Sequence, residues 1–136
     1  MTRPLTALLL ALLTACTAGC GSESPTFTVG NVTVRDEIGL VEAATAVALP
    51  EAWDGTPAAI ATDGLTGVIV AWAGGSCVES WTLTVSGFAI VIDIQPGDLP
   101  SDCYGVLITP AVRLDLNRAV DASNIVVNLA EEATAF

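Results

Sequence analysis

Residues 81–94, WTLTVSGFAIVIDI, decide the fold class of this chain. Trp81, Leu83 and Val85 alternate with Ser or Thr, and a Ser86-Gly87 turn leads into a second apolar row. That row consists of Phe88, Ile90, Ile92 and Ile94. Apolar residues at every second position indicate strands with one buried face. The stretch therefore predicts an antiparallel hairpin that carries Phe88 in its apolar row.

The same period of two recurs on both sides of this hairpin. The apolar rows are Phe27, Val29, Val32 and Val34; Val112, Leu114 and Leu116; and Ile125, Val127 and Leu129. We interpret the first row as one short strand that bends or bulges at Gly30-Asn31. Residues 68–73, VIVAWA, are apolar at both parities, which predicts a central strand covered on both faces. The Ala-rich stretch Ile38 to Leu49 fits either a strand or a short helix, and we assign it as a strand.

Turn-forming residues separate these rows about every ten positions. They are Asp54-Gly55, Asp63-Gly64, Gly74-Gly75, Pro96-Gly97 and Pro100. This spacing is typical of a small all-β domain, so we predict an antiparallel β-sandwich (Ig-like) or a barrel. The chain of 136 residues supports one such domain, which we place at residues 26–136.

Two cysteines lie within this predicted domain. Cys77 and Cys103 flank the strands of Trp81 and Phe88, so a disulfide would tie the segment entering that hairpin to the segment leaving it. A redox pair is the less favoured interpretation. The spacing is not CxxC, and no lysine or histidine is present to lower a thiol pKa. We predict a structural disulfide.

The first residues are typical of an export signal. Arg3 supplies a positive charge, and residues 5–18 contain only Leu, Ala, Thr and Cys. As a helix this stretch would span about 21 Å at 1.5 Å per residue, which is shorter than the roughly 30 Å hydrocarbon core of a membrane. Residues 1–19 are therefore interpreted as a signal peptide.

The end of this leader resembles the lipobox of bacterial lipoproteins, in which small residues precede a cysteine that receives a diacylglyceryl thioether. Two registers fit, Leu13-Thr14-Ala15-Cys16 and Thr17-Ala18-Gly19-Cys20. Lipidation of Cys16 would leave Cys20 as an odd thiol in an oxidising compartment. We therefore predict palmitate-type lipidation at Cys20, with Cys16 as the alternative and residues 20–25 as a short tether. An ordinary secretory signal with incidental cysteines is a third interpretation.

This resemblance implies export and attachment to the outer face of the bacterial cytoplasmic membrane or cell envelope. The body, in which Gly74-Gly75-Ser76-Cys77 precedes alternating strands, resembles uncharacterised exported β-sandwich domains of bacteria. Neither resemblance implies a specific activity.

Composition excludes several classes of function. Four Arg and Lys residues against 15 Asp and Glu give a net charge of −11, which argues against nucleic acid as a partner. No histidine is present, so Ser-His-Asp and Cys-His catalytic sets are excluded. Spread carboxylates more often keep a surface soluble than hydrolyse glycosides. We predict no enzymatic activity, no catalytic residue and no cofactor.

Two further features, a pair of aspartates and three tryptophans, are candidates for binding. Asp98 and Asp102 lack the dense spacing of a calcium loop, so we interpret them as a solvated turn and predict no metal site. Trp72 and Trp81 lie in the most apolar strands and are expected in the core. Trp53 lies in a Pro- and Gly-containing loop and is the aromatic residue that we predict as a possible contact.

Two functions follow from these observations. The first is a membrane-anchored, non-catalytic interaction or structural module of the cell envelope. The second is an acidic inhibitor or capture protein for a basic envelope protein, such as a wall-degrading enzyme, because negative charge speeds encounter with cationic proteins. The net charge also predicts that the body is repelled by anionic lipid and stands off the membrane.

Overall fold

A computed structural model describes residues 24–51, 53–62, 64, 66–98, 103 and 105–131. In these residues the chain forms strands and one short 3-10 turn, Ala122–Asn124, with no α-helix. The strands are β1 (Thr26–Val29), β2 (Val32–Asp36), β3 (Val41–Ala46), β4 (Ala58–Ala61), β5 (Gly67–Ala71), β6 (Gly74–Gly75), β7 (Trp81–Ser86), β8 (Val91–Pro96), β9 (Leu107–Ile108), β10 (Ala111–Leu116) and β11 (Val126–Leu129). The prediction of an all-β fold is confirmed.

The strands form two main sheets that pack together as a sandwich. One sheet has the order β1-β2-β7-β8-β11, the other has the order β3-β10-β5-β4, and β6 pairs with β9 in a small third sheet. Most pairings are antiparallel, but β2 runs parallel to β7 and β8 runs parallel to β11. These two parallel pairs differ from the predicted antiparallel sandwich. Their partner strands are far apart in the sequence, and local alternation does not show how distant strands pair.

The core lies between the two main sheets. The alternating residues predicted to face inward are buried, and Val34, Leu83 and Ile94 are fully enclosed. Residues 68–73 form the inner strand β5 and the segment after it, as their apolar pattern predicts. The stretch from Ile38 to Leu49 contains β3, so its assignment as a strand is confirmed.

The row from Phe27 to Val34 is not one bent strand, and that prediction is wrong. Gly30-Asn31 forms a two-residue hairpin turn that joins β1 to β2, and Val29 pairs with Val32 across it. Gly30 has a φ of 57°, a left-handed conformation that glycine adopts without steric cost. Because the pairing brings the four apolar residues onto one face, the hairpin gives the same alternation as a single strand.

The sandwich has two ends. The Phe88 end consists of residues 37–40, 87–90 and 117–125, which connect the strands on one side. The disulfide end consists of residues 30–31, 72–80 and 103, together with the loop between β3 and β4. The candidate functional residues lie at these ends and not within the sheets.

Candidate functional site

The predicted lipidation residues Cys16 and Cys20 lie outside the described residues, as does the predicted signal peptide at residues 1–19. The folded body starts at Ser24-Pro25, where the carbonyl of Pro25 accepts a hydrogen bond from the Asp36 amide at 2.9 Å. Asp36 is the last residue of β2, which ends at the Phe88 end. The chain that precedes Ser24 therefore joins the sandwich at the Phe88 end.

The predicted disulfide between Cys77 and Cys103 is confirmed. The two Cα atoms are 5.8 Å apart. Next to the bridge, the Ser76 amide donates to the Val106 carbonyl, and the Val106 amide donates to Ser76 Oγ, both at 2.9 Å. A Cβ on Gly105 would approach Cys77 Sγ to 2.9 Å, so only glycine fits there without displacement. The bridge is thus part of a closely packed segment.

Trp72 and Trp81 form the interior of the disulfide end, as predicted. Their rings meet edge to face, with centroids 5.6 Å apart and an interplanar angle of 69°. Both residues are buried, and neither indole N–H has a hydrogen-bond partner among the described residues. Because both rings are enclosed, neither forms a surface on which a sugar could stack.

Trp53 lies in a loop, as the sequence predicts, but it is half-buried. Its indole Nε1 donates to the Thr56 carbonyl at 2.6 Å, and its amide donates to the Pro50 carbonyl at 3.2 Å. These bonds hold the ring against its own loop. A contact through Trp53 would use the exposed part of the ring, since the N–H is already bonded, and this role stays a prediction.

Asp54 stabilises the same loop. Its Oδ1 accepts hydrogen bonds from the Thr56 hydroxyl at 2.7 Å and from the Thr56 amide at 3.0 Å. The hydroxyl bond, followed by the amide bond, lowers the pKa of the Asp54 carboxyl from its ordinary value of 3.8. The carboxylate acts as a turn-forming acceptor and is not poised for proton transfer near neutral pH.

Asp98 is exposed after β8, while its predicted neighbour Asp102 lies outside the described residues. Within the described part of the chain, no three His, Cys, Asp or Glu side chains come close enough together to hold a metal ion. The structure thus brings together no set of ligands for a cation in that part.

Phe88 is the main feature that sequence analysis missed. It was predicted in the apolar row of the hairpin, but its relative exposure is 108%, so this prediction is wrong. The turn extends over residues 87–90, and β8 begins only at Val91. Phe88, Ile90 and Ile92 share one parity, so alternation alone does not show where the strand begins. The Ser86-Gly87 pair marked the turn but not its length.

Phe88 borders a groove at its end of the sandwich. The groove has a volume of about 530 Å³ and is lined by Ile38, Gly87, Phe88 and Arg118. This volume is within the range of small-ligand sites, but the groove is open to solvent and Arg118 is the charged side chain in its lining. Such a surface suits an apolar partner with a negative or polar rim better than an enclosed ligand.

Charge is distributed unequally between the two ends. Carboxylates lie at or next to both ends: Asp36, Glu37, Glu42, Asp115 and Asp121 at the Phe88 end, and Glu51, Asp54, Glu79, Asp98 and Glu131 at the disulfide end. No arginine lies among the described residues of that end, whereas Arg118 and Arg35 lie at or next to the Phe88 end. The third described arginine, Arg113, pairs with Asp115 in β10 at 3.0 Å. The two ends of the sandwich therefore differ in their arginine content, which the net charge of −11 does not show.

Comparison with protein-family models, curated proteins and solved structures gives no match for this chain. The function is therefore argued from the chain's own residues. Across the described residues, no helix is long and apolar enough to cross a membrane.

Proposed function

We propose that this protein is a lipid-anchored, extracytoplasmic β-domain that acts as a non-catalytic interaction or structural module of the bacterial cell envelope. The observation that carries this proposal is the Cys77–Cys103 disulfide in a body that begins directly after a lipobox-like sequence. The two features belong to the same cellular location, because both are formed on exported proteins.

The disulfide supports the compartment. Protein disulfides persist in oxidising compartments and are rare in reducing cytosol. Here the bridged half-cystine Cys77 is buried, and the loop around it is held by the Ser76 and Val106 hydrogen bonds. A bridge so enclosed is a structural element of the fold, which fits a domain that matures outside the cytosol.

The folded body starts only a few residues after the proposed anchor, Cys20. If Cys20 carries the lipid, a few tether residues connect it to Pro25, which is bonded to the end of β2. At ~3.5 Å per residue the domain is held within about 20 Å of the membrane. Two acyl chains on one cysteine give a durable attachment, whereas a single chain binds only marginally.

Metabolic palmitate labelling of the full-length protein tests this proposal. We expect label on the wild type and on Cys16→Ala, and no label on Cys20→Ala. Cys77→Ala is the matched control, because it removes a cysteine from the body and leaves the lipobox intact, so it should remain labelled. Label that is lost only in Cys16→Ala would move the anchor to the alternative register. Label retained in both leader variants would refute lipidation at either cysteine.

A second candidate function is capture or inhibition of a basic envelope protein. It is favoured by the carboxylates at the disulfide end, which is the end that points away from the attachment of the leader. Attraction between opposite charges speeds the encounter of two proteins, and this attraction weakens as the salt concentration rises. Pull-down with a basic lysozyme should then retain binding at physiological ionic strength, and Glu51→Gln with Asp98→Asn should weaken it. Binding that vanishes at that ionic strength would indicate charge attraction without specificity.

A further inference from the structure

The Phe88 end is the end at which the leader joins the folded body. Thr26, the first residue of β1, pairs with Arg35 near the end of β2, and the Glu37 amide donates to the Val85 carbonyl of β7. The turn 87–90 follows directly after β7. Since neighbouring strands are ~4.8 Å apart, the turn lies roughly 10 Å across the sheet from the start of β1.

Phe88 is presented outward on this end. Gly87 before it has a φ of 83°, and a Cβ there would meet the Ala89 carbonyl oxygen at 3.0 Å, so the turn that projects the ring depends on glycine. Ile38, also exposed, borders the same groove. A fully exposed Phe beside a second exposed apolar side chain indicates a surface that becomes covered.

Arg118 is the charged side chain that lines the groove next to Phe88, and Arg35 is a second exposed cation of this end. Arg35 lies one residue before the end of β2. Neither arginine forms an ion pair with a carboxylate in the described residues. Asp36, at the same end, is buried and bonded to backbone amides, while Glu37, Glu42 and Asp121 are exposed negative charges of this end that do not line the groove between Ile38, Phe88 and Arg118.

We propose that the Phe88 end is a membrane-contact surface, on which Phe88 inserts its ring into the lipid interface while Arg118 contacts phospholipid phosphates. This inference rests on the proposed lipid anchor, which brings this end toward the bilayer. Arginine is favoured at the interface because its stem is apolar and its guanidinium binds headgroups, and a phenylalanine ring adds apolar area that leaves water. The disulfide end, which has carboxylates and no arginine among its described residues, then points away from anionic lipid.

The tether is compatible with this contact. From Cys20 to Pro25 the chain reaches at most about 20 Å, which exceeds the roughly 10 Å between the start of β1 and the turn at Phe88. The domain can therefore tilt its Phe88 end onto the bilayer without unfolding β1. The disulfide end lies at the other end of β1 from the tether, so its approach to the bilayer requires a nearly fully extended tether.

Photocrosslinking of the full-length acylated protein in vesicles of anionic and zwitterionic phospholipid tests the contact. The photoreactive amino acid p-benzoylphenylalanine is placed at position 88 or, as the matched control, at position 107. Leu107 is also an exposed apolar residue, but it lies on the segment linked to the disulfide end. We expect labelled lipid adducts at least tenfold more abundant at position 88. Equal yields, or a higher yield at position 107, would overturn the inference.

Arg118→Gln tests the electrostatic part in the same assay. Loss of one cation near an anionic surface should lower the adduct yield at position 88 about fivefold, which corresponds to ~1 kcal/mol per basic residue. Arg113→Gln is the control, because Arg113 lies in β10 of the other main sheet, is paired with Asp115 and does not line the Phe88 groove, so it should leave the yield unchanged. An unchanged yield in Arg118→Gln would refute the phosphate contact.

Two readouts separate this inference from the proposed anchor. Palmitate label is measured on each sample, so missing label counts against the anchor, whereas normal label without adducts at position 88 counts against the membrane contact alone. Crosslinking in intact cells gives a third outcome. Adducts at position 88 that migrate as a protein conjugate would show a protein partner on this surface and would overturn the lipid assignment.

Discussion

The two ends of the sandwich are closed by different physical means. The disulfide end has a covalent bridge and a buried pair of indole rings. At the Phe88 end the described residues are held by side chains that bond to backbone groups. Asp36 Oδ2 accepts from the Val41 amide at 2.7 Å, and Asn117 Nδ2 donates to the Gly39 carbonyl at 2.5 Å. Polar side-chain caps occur at both ends, and the disulfide end adds a crosslink and a buried indole pair to them.

Exposed apolar side chains occur at both ends, at Ile38 and Phe88 on one and at Val106 and Leu107 on the other, but the fully exposed ring is that of Phe88. A polar cap fixes the path of the backbone without requiring its neighbours to be buried. The loop before β3 is held by Asp36, so Ile38 can remain on the surface without loss of the local fold. At the disulfide end the large rings of Trp72 and Trp81 are themselves part of the packing, and exposing them would remove apolar burial.

Removal of the disulfide should have the largest effect on stability. Replacing Cys77 and Cys103 together by alanine releases a crosslink between residues 26 positions apart. We expect the free energy of unfolding to fall by about 3.5 kcal/mol, because the unfolded chain gains the corresponding loop entropy. Denaturant unfolding checks this, and reductant should destabilise the wild type but not the double variant. Equal midpoints for the two proteins would show that the bridge does not stabilise this end.

Removal of the Asp36 cap should have an intermediate effect. Asp36 is 1% exposed and accepts from the amides of Ile38 and Val41. Asp36→Ala leaves these amides without their acceptor, so we expect a loss of about 2 to 3 kcal/mol. Amide exchange should accelerate first at Val41. Glu37→Ala, one residue along and exposed, is the control and should change stability by less than ~0.5 kcal/mol. A similar loss in both variants would contradict a specific role for the Asp36 cap.

Acid titration of two exposed aspartates should have the smallest effect on stability. The direction of this effect should be the same at both ends. Asp121 Oδ1 accepts from the Ser123 hydroxyl at 2.7 Å and the Ser123 amide at 3.0 Å, which repeats the arrangement of Asp54 and Thr56. These bonds, the hydroxyl bond first, lower the pKa of the Asp121 carboxyl from 3.8. Because both folded pKa values are lowered, their contribution to stability is present above about pH 4 and is lost as the pH falls through the lowered values.

Carboxyl NMR titration of Thr56→Val and Ser123→Ala checks this pair. Each substitution removes the hydroxyl and should raise the pKa of its own aspartate toward 3.8, with the other aspartate unchanged. A pKa that stays low after loss of the hydroxyl would assign the shift to the backbone amide instead.

The alternation of residues 81–85 predicted β7 correctly, because a buried face imposes the same parity on every residue of a strand. The disulfide could also be predicted, since its cysteines flank that hairpin. The boundaries of the turns could not be predicted from the sequence. The residues from Gly87 to Ile90 continue the parity of β8, and the pair Gly30-Asn31 fits a bend as well as a hairpin. Pairing partners determine such boundaries, and alternation contains no information about partners.

The parallel pairings were not predictable for the same reason. The parallel partner of β2 is β7, although β3 to β6 lie between these two strands in the chain. The exposure of Phe88 depends in turn on the β7–β8 turn, so the candidate surface at that end was hidden from analysis of local patterns. The acidic character of the other end could be counted from composition but not located.

The hydrogen bond between Asn117 and Gly39 connects positions 78 apart, and the bond between Asn31 and Glu79 connects positions 48 apart. A chain with such distant partners cannot complete its architecture step by step in the order of its sequence. The first hairpin must wait for segments delivered much later, and assembly dominated by remote partners takes milliseconds to seconds. During that interval the early strands expose unpaired edges, which makes protection from aggregation a requirement of this molecule's maturation.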